Sequence, residues 1–169
     1  MKPVNFLEQS KINEMANKEF SNQKSRILEL LPNVDIQHIG STAIPNSITK
    51  GDLDIQVRVS KEDFTKAVEI LSTIYDINEG STKTDFFRAF KDDLLPLPLG
   101  VQLTVINSDL DIFWKIRDVL LKNDEFRKEY DDLKRNFEGK TMDEYRLAKN
   151  QFFERIMNTP EYNGYHKEH

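Results

Sequence analysis

Two aspartates one residue apart, Asp52 and Asp54 in the stretch Lys50-Gly-Asp-Leu-Asp-Ile, have the type and spacing to do chemistry. In an extended segment both carboxylates leave the same face, about 6 to 7 Å apart at their Cα atoms, and can share metal ions. Leu53 and Ile55 have the opposite parity and go to the core, so a stiff strand displays the acids outward. Hard oxygen ligands on such a platform suit Mg²⁺ or Mn²⁺. Two acids on a strand face also serve simply to keep an exposed sheet soluble, so the pair does not decide the matter alone. About ten residues upstream stands Gly40-Ser41-Thr42. Gly40 allows a turn with its backbone close to a ligand, and the hydroxyls and N–H groups of Ser41 and Thr42 can hold phosphate oxygens. Gly and Ser are also ordinary choices for a turn between two strands. Placed directly after one strand and before the next, however, the turn and the two acids together read as a phosphate cradle beside a metal platform.

Strands on either side must hold these residues. Val34 to Ile39 is short and rich in β-branched residues and ends in the turn formers Gly40, Ser41, Pro45, Asn46 and Ser47. Leu53, Ile55, Val57 and Val59 then alternate with Asp54, Gln56 and Arg58 at period two, the pattern of a strand with one face in the core. Before them, Asn5 to Leu31 carries Ile12, Met15, Phe20, Ile27, Leu28 and Leu31 at near-helical spacing until Pro32, which predicts one or two amphipathic helices. After them, Ser60 with Asp63 opens a helix with Phe64, Ala67, Val68 and Leu71 as its stripe. Ile74 to Ile77 and Asp85 to Phe90 each have the length of a short strand. Val101 to Ile106 is a clearer one, alternating around Gln102 and Thr104, and Leu94 to Gly100 is a loop. From Ser108 the chain reads as helices, with Ser108/Asp111 and Thr141/Glu144 as N-caps and Gly139 between two of them. The expectation is one α/β (α+β) domain over residues 1–160: a mixed sheet at about 33–107, an N-terminal helix and C-terminal helices at about 109–157, followed by a loose tail at 161–169.

Composition narrows the function classes. The 169 residues carry a net charge of −5, so there is no overall attraction to nucleic acid or an anionic membrane, and any polyanion must be met locally. At 38% hydrophobic and 10% aromatic, the chain folds instead of staying disordered. The absence of cysteine removes disulfides, thiolate catalysis and zinc-finger sites and fits a reducing cytoplasm. No apolar run reaches the 18 residues of a membrane span, and Met1 to Gln9 has no secretory pattern.

Strand, Gly-Ser, spacer and Asp-x-Asp on the next strand resemble the nucleotidyltransferase fold, the superfamily of DNA polymerase beta and the aminoglycoside nucleotidyltransferases. More closely, several segments are similar to the GrpB family: His38-Ile-Gly-Ser-Thr-Ala-Ile-Pro45, Lys50 to Ile55, Phe86-Phe87-Arg88, Arg117-Asp118 and Tyr145-Arg-Leu-Ala-Lys149. The resemblance runs from about His38 to Ile156. It implies a mixed nucleotidyltransferase-like sheet with a nucleoside triphosphate as ligand and Mg²⁺ or Mn²⁺ on Asp52 and Asp54. Gly40 and Ser41 would lie at the β- and γ-phosphates, and a small molecule or a protein would be the acceptor. In the wider superfamily the reaction is in-line attack on the α-phosphate with release of pyrophosphate. Active members also carry a third carboxylate, usually on a later strand antiparallel to the D-x-D strand. Here that strand is Val101 to Ile106, with Gln102 and Thr104 at its outward positions, so the resemblance implies triphosphate binding more readily than transfer. Asp85 is the acid from a neighbouring strand that could substitute.

Lys50, Arg88 and Lys149 are the cations assigned to the phosphate tail. Lys149 lies one helical turn from Tyr145 and near Phe152 and Phe153, and Arg88 offers a rigid fork. Each also reads as an ordinary surface or ion-paired cation. His38 is expected to orient the Gly-Ser turn from behind, with Gln102 and Thr104 nearby. His166 and His169 fall in the tail, and Phe113 and Trp114 read as packing residues. The mixed charges from Lys115 to Arg155 make a solvated helical face and not a nucleic-acid track.

Overall fold

Leu53, Ile55, Val57 and Val59 are each at most 2% exposed, and the strand they build is an interior strand of a five-stranded sheet. A computed structural model describes residues 3–4, 6–8, 12–45 and 47–165. The elements run β1 (Leu7–Glu8), α1 (Asn13–Leu30), β2 (Asp35–Ile39), a turn of 3₁₀ helix (Ser41–Ala43), β3 (Ile48–Thr49), β4 (Leu53–Val59) and α2 (Phe64–Leu71). They continue with β5 (Asp76–Ile77), β6 (Phe87–Asp92), β7 (Leu99–Val105), α3 (Phe113–Lys122), α4 (Asp124–Phe137), α5 (Met142–Met157) and α6 (Pro160–Asn163). Asn5, Asn46, His166 and His169 lie outside the described residues.

The sheet has the order β2-β4-β7-β6-β5, so the three strands expected to be neighbours are neighbours. β4 pairs antiparallel with β2 but parallel with β7, and β6 is antiparallel to β7. The strand bearing Gln102 and Thr104 therefore runs parallel to the D-x-D strand and not antiparallel. Chain direction explains this: β6 joins β7 through the Leu94–Pro98 loop as a hairpin, and β7 enters beside β4 from the same end as β4 itself. β1 pairs with β3 in a separate two-stranded ribbon.

One face of the sheet packs against α1 and α2 in the main core, through Ile27, Leu31, Phe64, Ala67 and Leu71. The stripe of α1 is narrower than expected, for Met15 is 47% exposed while Ala16, Gln23 and Ile27 are buried. The other face, which the sequence reading displayed to solvent, is covered over much of its length by the C-terminal helices. Ile116, Val119, Leu120, Tyr130, Phe152 and Ile156 form a second core there with Ile44. Gln56 and Arg58, on the same face as the two aspartates, are consequently buried. Thr141 and Glu144 form the expected capping box of α5, and Gly139 has φ +83° between α4 and α5. Ser108 does not cap a helix: α3 begins at Phe113, and the Asp111 carboxylate instead accepts from Arg58, Gln56 and the Asn107 N–H. The tail is packed as far as Tyr165, whose hydroxyl donates to Asp118 at 2.8 Å, while Tyr162 joins the second core. No described helix is long and apolar enough to cross a membrane.

Candidate functional site

Asp54 stands beside Ile39 of β2 and Gly100 of β7. A Cβ built on Gly40 would lie 2.5 Å from Asp54 Oδ2, and one on Gly100 would lie 3.0 Å from Oδ1. The carboxylate is held between two backbone stretches that come this close only as glycine. Gly40 also has φ +75° and ψ −173°, a conformation essentially reserved for glycine. From it the chain enters the 3₁₀ turn, with the Ala43 and Ile44 N–H groups donating to the carbonyls of Gly40 and Ser41.

Thr49, 0% exposed, joins this turn to the acids. Its hydroxyl oxygen accepts from Ser41 Oγ at 2.7 Å and from the Gly51 N–H at 3.1 Å. Lys50 and Asp52, on either side of Gly51, form an ion pair. Lys149 approaches from α5, its Nζ 5.6 Å from the centre of the Tyr145 ring. Burial pushes the Asp54 carboxyl up from its ordinary value; the Lys149 charge opposes this rise and the neighbouring Asp52 adds to it. Burial pushes Lys149 down, with Asp54 opposing.

Gly40, Ser41, Lys50, Asp52, Asp54 and Lys149 line one cavity of about 190 Å³, with Gln102 at its edge. This volume is below the roughly 300 Å³ at which sites for whole drug-sized ligands begin, so the chamber suits part of a ligand whose remainder lies in the mouth. Its other wall is apolar, from Ile39, Ile44, Phe113, Ile116, Leu120 and Phe153. Phe113 is therefore a wall residue and not simply packing. Tyr130 and Tyr145 also line the cavity, and burial pushes the Tyr145 hydroxyl up to about 12.

Five residues expected at or near the site do not line the cavity. Arg88 pairs with Leu103 in the ladder and so projects from the opposite face, where its guanidinium lies 6.0 Å from the Phe64 ring. Thr42 is 1% exposed and its hydroxyl lies 2.9 Å from His38 Nε2, behind the turn instead of in the cavity. Thr104 is fully buried and accepts from Gln56 at 2.9 Å, four ladder positions beyond Gly100. His38 is on the α1 face, stacked on Phe20 at 4.9 Å; burial and the Arg117 charge push its imidazole down to about 4. Asp85 is exposed ahead of β6, away from the cavity lining.

Arg117 was missed. Its Nη1 donates to the His38 carbonyl and to Gln37 Oε1, both at 2.9 Å, and its Nε to Asp118, so α3 grips the end of β2 just before Gly40. The signal lay in its spacing: Phe113, Ile116, Arg117 and Leu120 share one helical face, with a cation in an apolar stripe. Lys134 was missed too. It is 0% exposed and donates to Ser47 Oγ and the Ile48 carbonyl at 2.9 and 2.6 Å, tying α4 to β3 and hence to Thr49.

Residues 10–159 match the family described as GrpB protein. A UPF0157 protein of Vibrio cholerae is 38% identical over 135 residues, covering 78% of this chain and 70% of that one. The crystal structure of the conserved protein GrpB from Enterococcus faecalis superposes with a TM-score of 0.59 at 19% identity, over 93% of this chain and 88% of that one. Cid1, whose RNA terminal uridylyl transferase activity is the subject of its structure's description, aligns with a TM-score of 0.44 at 11% identity, over 74% of this chain and 42% of that one.

Proposed function

The chain belongs to the GrpB family, and we propose that it is a nucleotidyltransferase-like protein that binds a nucleoside triphosphate with a divalent metal in the cavity beside Gly40. The observation that carries this reading is the close approach of the Gly40 backbone to the Asp54 carboxylate, which puts the Gly40–Ser41 turn against a two-acid platform in one cavity. Among the described residues no group of three or more His, Cys, Asp or Glu could hold a metal ion. Mg²⁺ needs only one or two carboxylates when phosphate oxygens and water complete its shell, so Asp52 and Asp54 fit a metal that arrives with a polyphosphate. When bound there, the metal would neutralise charge on the phosphate chain. The backbone N–H groups at the start of the turn would donate to terminal phosphate oxygens, and Lys50 and Lys149 would supply cationic donors. The apolar wall would take the less polar remainder of the ligand.

A thermal-shift titration tests the binding. Mg²⁺ or Mn²⁺ with one of the common nucleoside triphosphates should stabilise the wild type by about 2.7 kcal/mol at 100 times its Kd. The double change Asp52→Asn with Asp54→Asn should remove the metal-dependent part, because amides lack the charge that compensates metal dehydration. No metal-dependent shift with any of the common nucleoside triphosphates in the wild type would overturn the reading.

Transfer is the less favoured half of the proposal, and a nucleotide sensor or scaffold the more favoured. The ladder puts Gly100 beside Asp54 and Gln102 at the next position on that face, where an acid would be needed to accept the nucleophile's proton. A positioned general base typically contributes 10²- to 10⁴-fold. Wild-type protein should therefore bind triphosphate without measurable pyrophosphate release across amino, hydroxyl and protein acceptors. Gln102→Glu is the change that supplies a carboxylate to the cavity, which Gln102 lines and Thr104 does not. Release by the wild type that is lost in Asp54→Asn would establish an enzyme.

A further inference from the structure

The Lys50–Asp52 ion pair has a consequence for the order in which metal and phosphate enter. Each partner is 29% exposed, so the pair is neither locked in a core nor freely solvated. Thr49 before it is anchored by hydrogen bonds from Ser41 and Gly51, whereas Gly51 has φ +94° and nothing within 4 Å of where a Cβ would stand. The Lys50 ammonium thus sits on a flexible four-carbon stem above a fixed pivot, with open space beside the following residue.

Charge balance does the rest. The cavity presents two carboxylates, Asp52 and Asp54, against the ammoniums of Lys50 and Lys149, while the third cation, Arg117, is committed to Asp118. The site is close to neutral as it stands. A bare divalent ion would have to displace Lys50 from Asp52 and would leave two unneutralised positive charges in a partly desolvated chamber. A metal that arrives on a polyphosphate brings negative oxygens for the displaced ammonium.

We propose that Lys50 is a resident counter-ion that occupies the cation position at Asp52, so that the site refuses free divalent metal and admits it only as a metal–polyphosphate complex, whose oxygens then take the released lysine. This rests on the nucleotide reading above and specifies its ligand as the preformed complex.

The experiment measures Mn²⁺ binding from the free-ion signal in electron paramagnetic resonance. Wild type, Lys50→Gln and Lys50→Arg are each titrated with Mn²⁺ alone and with Mn²⁺ plus inorganic tripolyphosphate. Lys50→Gln should bind Mn²⁺ alone about three- to tenfold more tightly than wild type, since both a competing partner and a like charge are gone. The same variant should bind the Mn²⁺–tripolyphosphate complex about tenfold or more weakly, having lost a charge-assisted donor. Lys50→Arg keeps the charge and should stay within about threefold of wild type with Mn²⁺ alone. Unchanged or weaker binding of Mn²⁺ alone by Lys50→Gln overturns the proposal, and the nucleotide reading survives if wild type still takes the complex. Equal affinity of wild type for Mn²⁺ and for its complex also overturns the proposal. Failure of all three proteins to bind either form overturns both.

Discussion

Replacing Gly40 with alanine should lower the unfolding free energy by about 3 kcal/mol and the melting temperature by roughly 6 to 12 °C. Two costs combine. At φ +75° and ψ −173° a residue with a side chain is strained by about 1 to 3 kcal/mol. The added methyl would also meet Asp54 Oδ2 at 2.5 Å, against a carboxylate already held on its other side by Gly100. Two controls separate these costs in a thermal melt. Gly139→Ala has φ +83° and open space around the new methyl, so it carries backbone strain alone. Gly100→Ala carries the Asp54 contact alone, at 3.0 Å. If Gly40→Ala costs no more than Gly139→Ala, Asp54 is free to move away, and the close fit of the turn to the acid is not a constraint on the site.

The parts of this site legible in the sequence are those that one strand determines by itself. Period two in Leu53 to Val59 puts Asp52 and Asp54 on the face away from the main core, and the glycine after a β-branched run marks the turn that meets them. What could not be read depends on a second segment. Phe87, Arg88, Ala89 and Phe90 put apolar residues on both faces of β6, so the run gives Arg88 no preferred side; the pairing of Arg88 with Leu103 sends it to the α2 face. His38 is in the same position, with Ile36 and Ile39 buried at opposite parities of β2. The solvent exposure expected for the D-x-D face failed at Gln56 and Arg58 because their partner is Asp111, 55 and 53 residues further on. Beside Ser108 that acid looks like part of a helix cap, and only the folded chain reveals it as a buried counter-ion.

Removing that counter-ion should have the largest effect of any single change considered. Arg58 Nε and Nη2 donate to the two oxygens of Asp111 at 2.8 and 2.7 Å, and Nη1 donates to Asp35 at 2.8 Å. The Arg58 and Asp111 side chains are 9% and 2% exposed, and the guanidinium lies 5.0 Å from the Trp114 ring. Hydrogen bonding to the two acids raises the Arg58 pKa against the opposing effect of burial, so the charge persists at every working pH. Asp111→Ala leaves this cation with only Asp35, which is 38% exposed, and strips an acceptor from Gln56 and from the Asn107 N–H. Breaking a buried pair in this way costs about 3 to 5 kcal/mol, a fall of roughly 6 to 20 °C in melting temperature. Replacing both partners by apolar residues, Arg58→Met with Asp111→Leu, should recover most of the loss, because no charge is then left buried alone. The effect reaches the cavity through Gln56, whose side-chain oxygen accepts the backbone N–H of Trp114 at the start of α3, the helix that carries Phe113, Ile116 and Arg117. One face of β4 thus ends in two different ways. At Arg58 an acid from the β7–α3 loop closes it and seats α3, while at Asp54 it stays open to the cavity with only lysines for counter-ions. A loss of less than about 1 kcal/mol in Asp111→Ala would show that the apolar contacts of Ile116, Val119 and Leu120 hold α3 on their own.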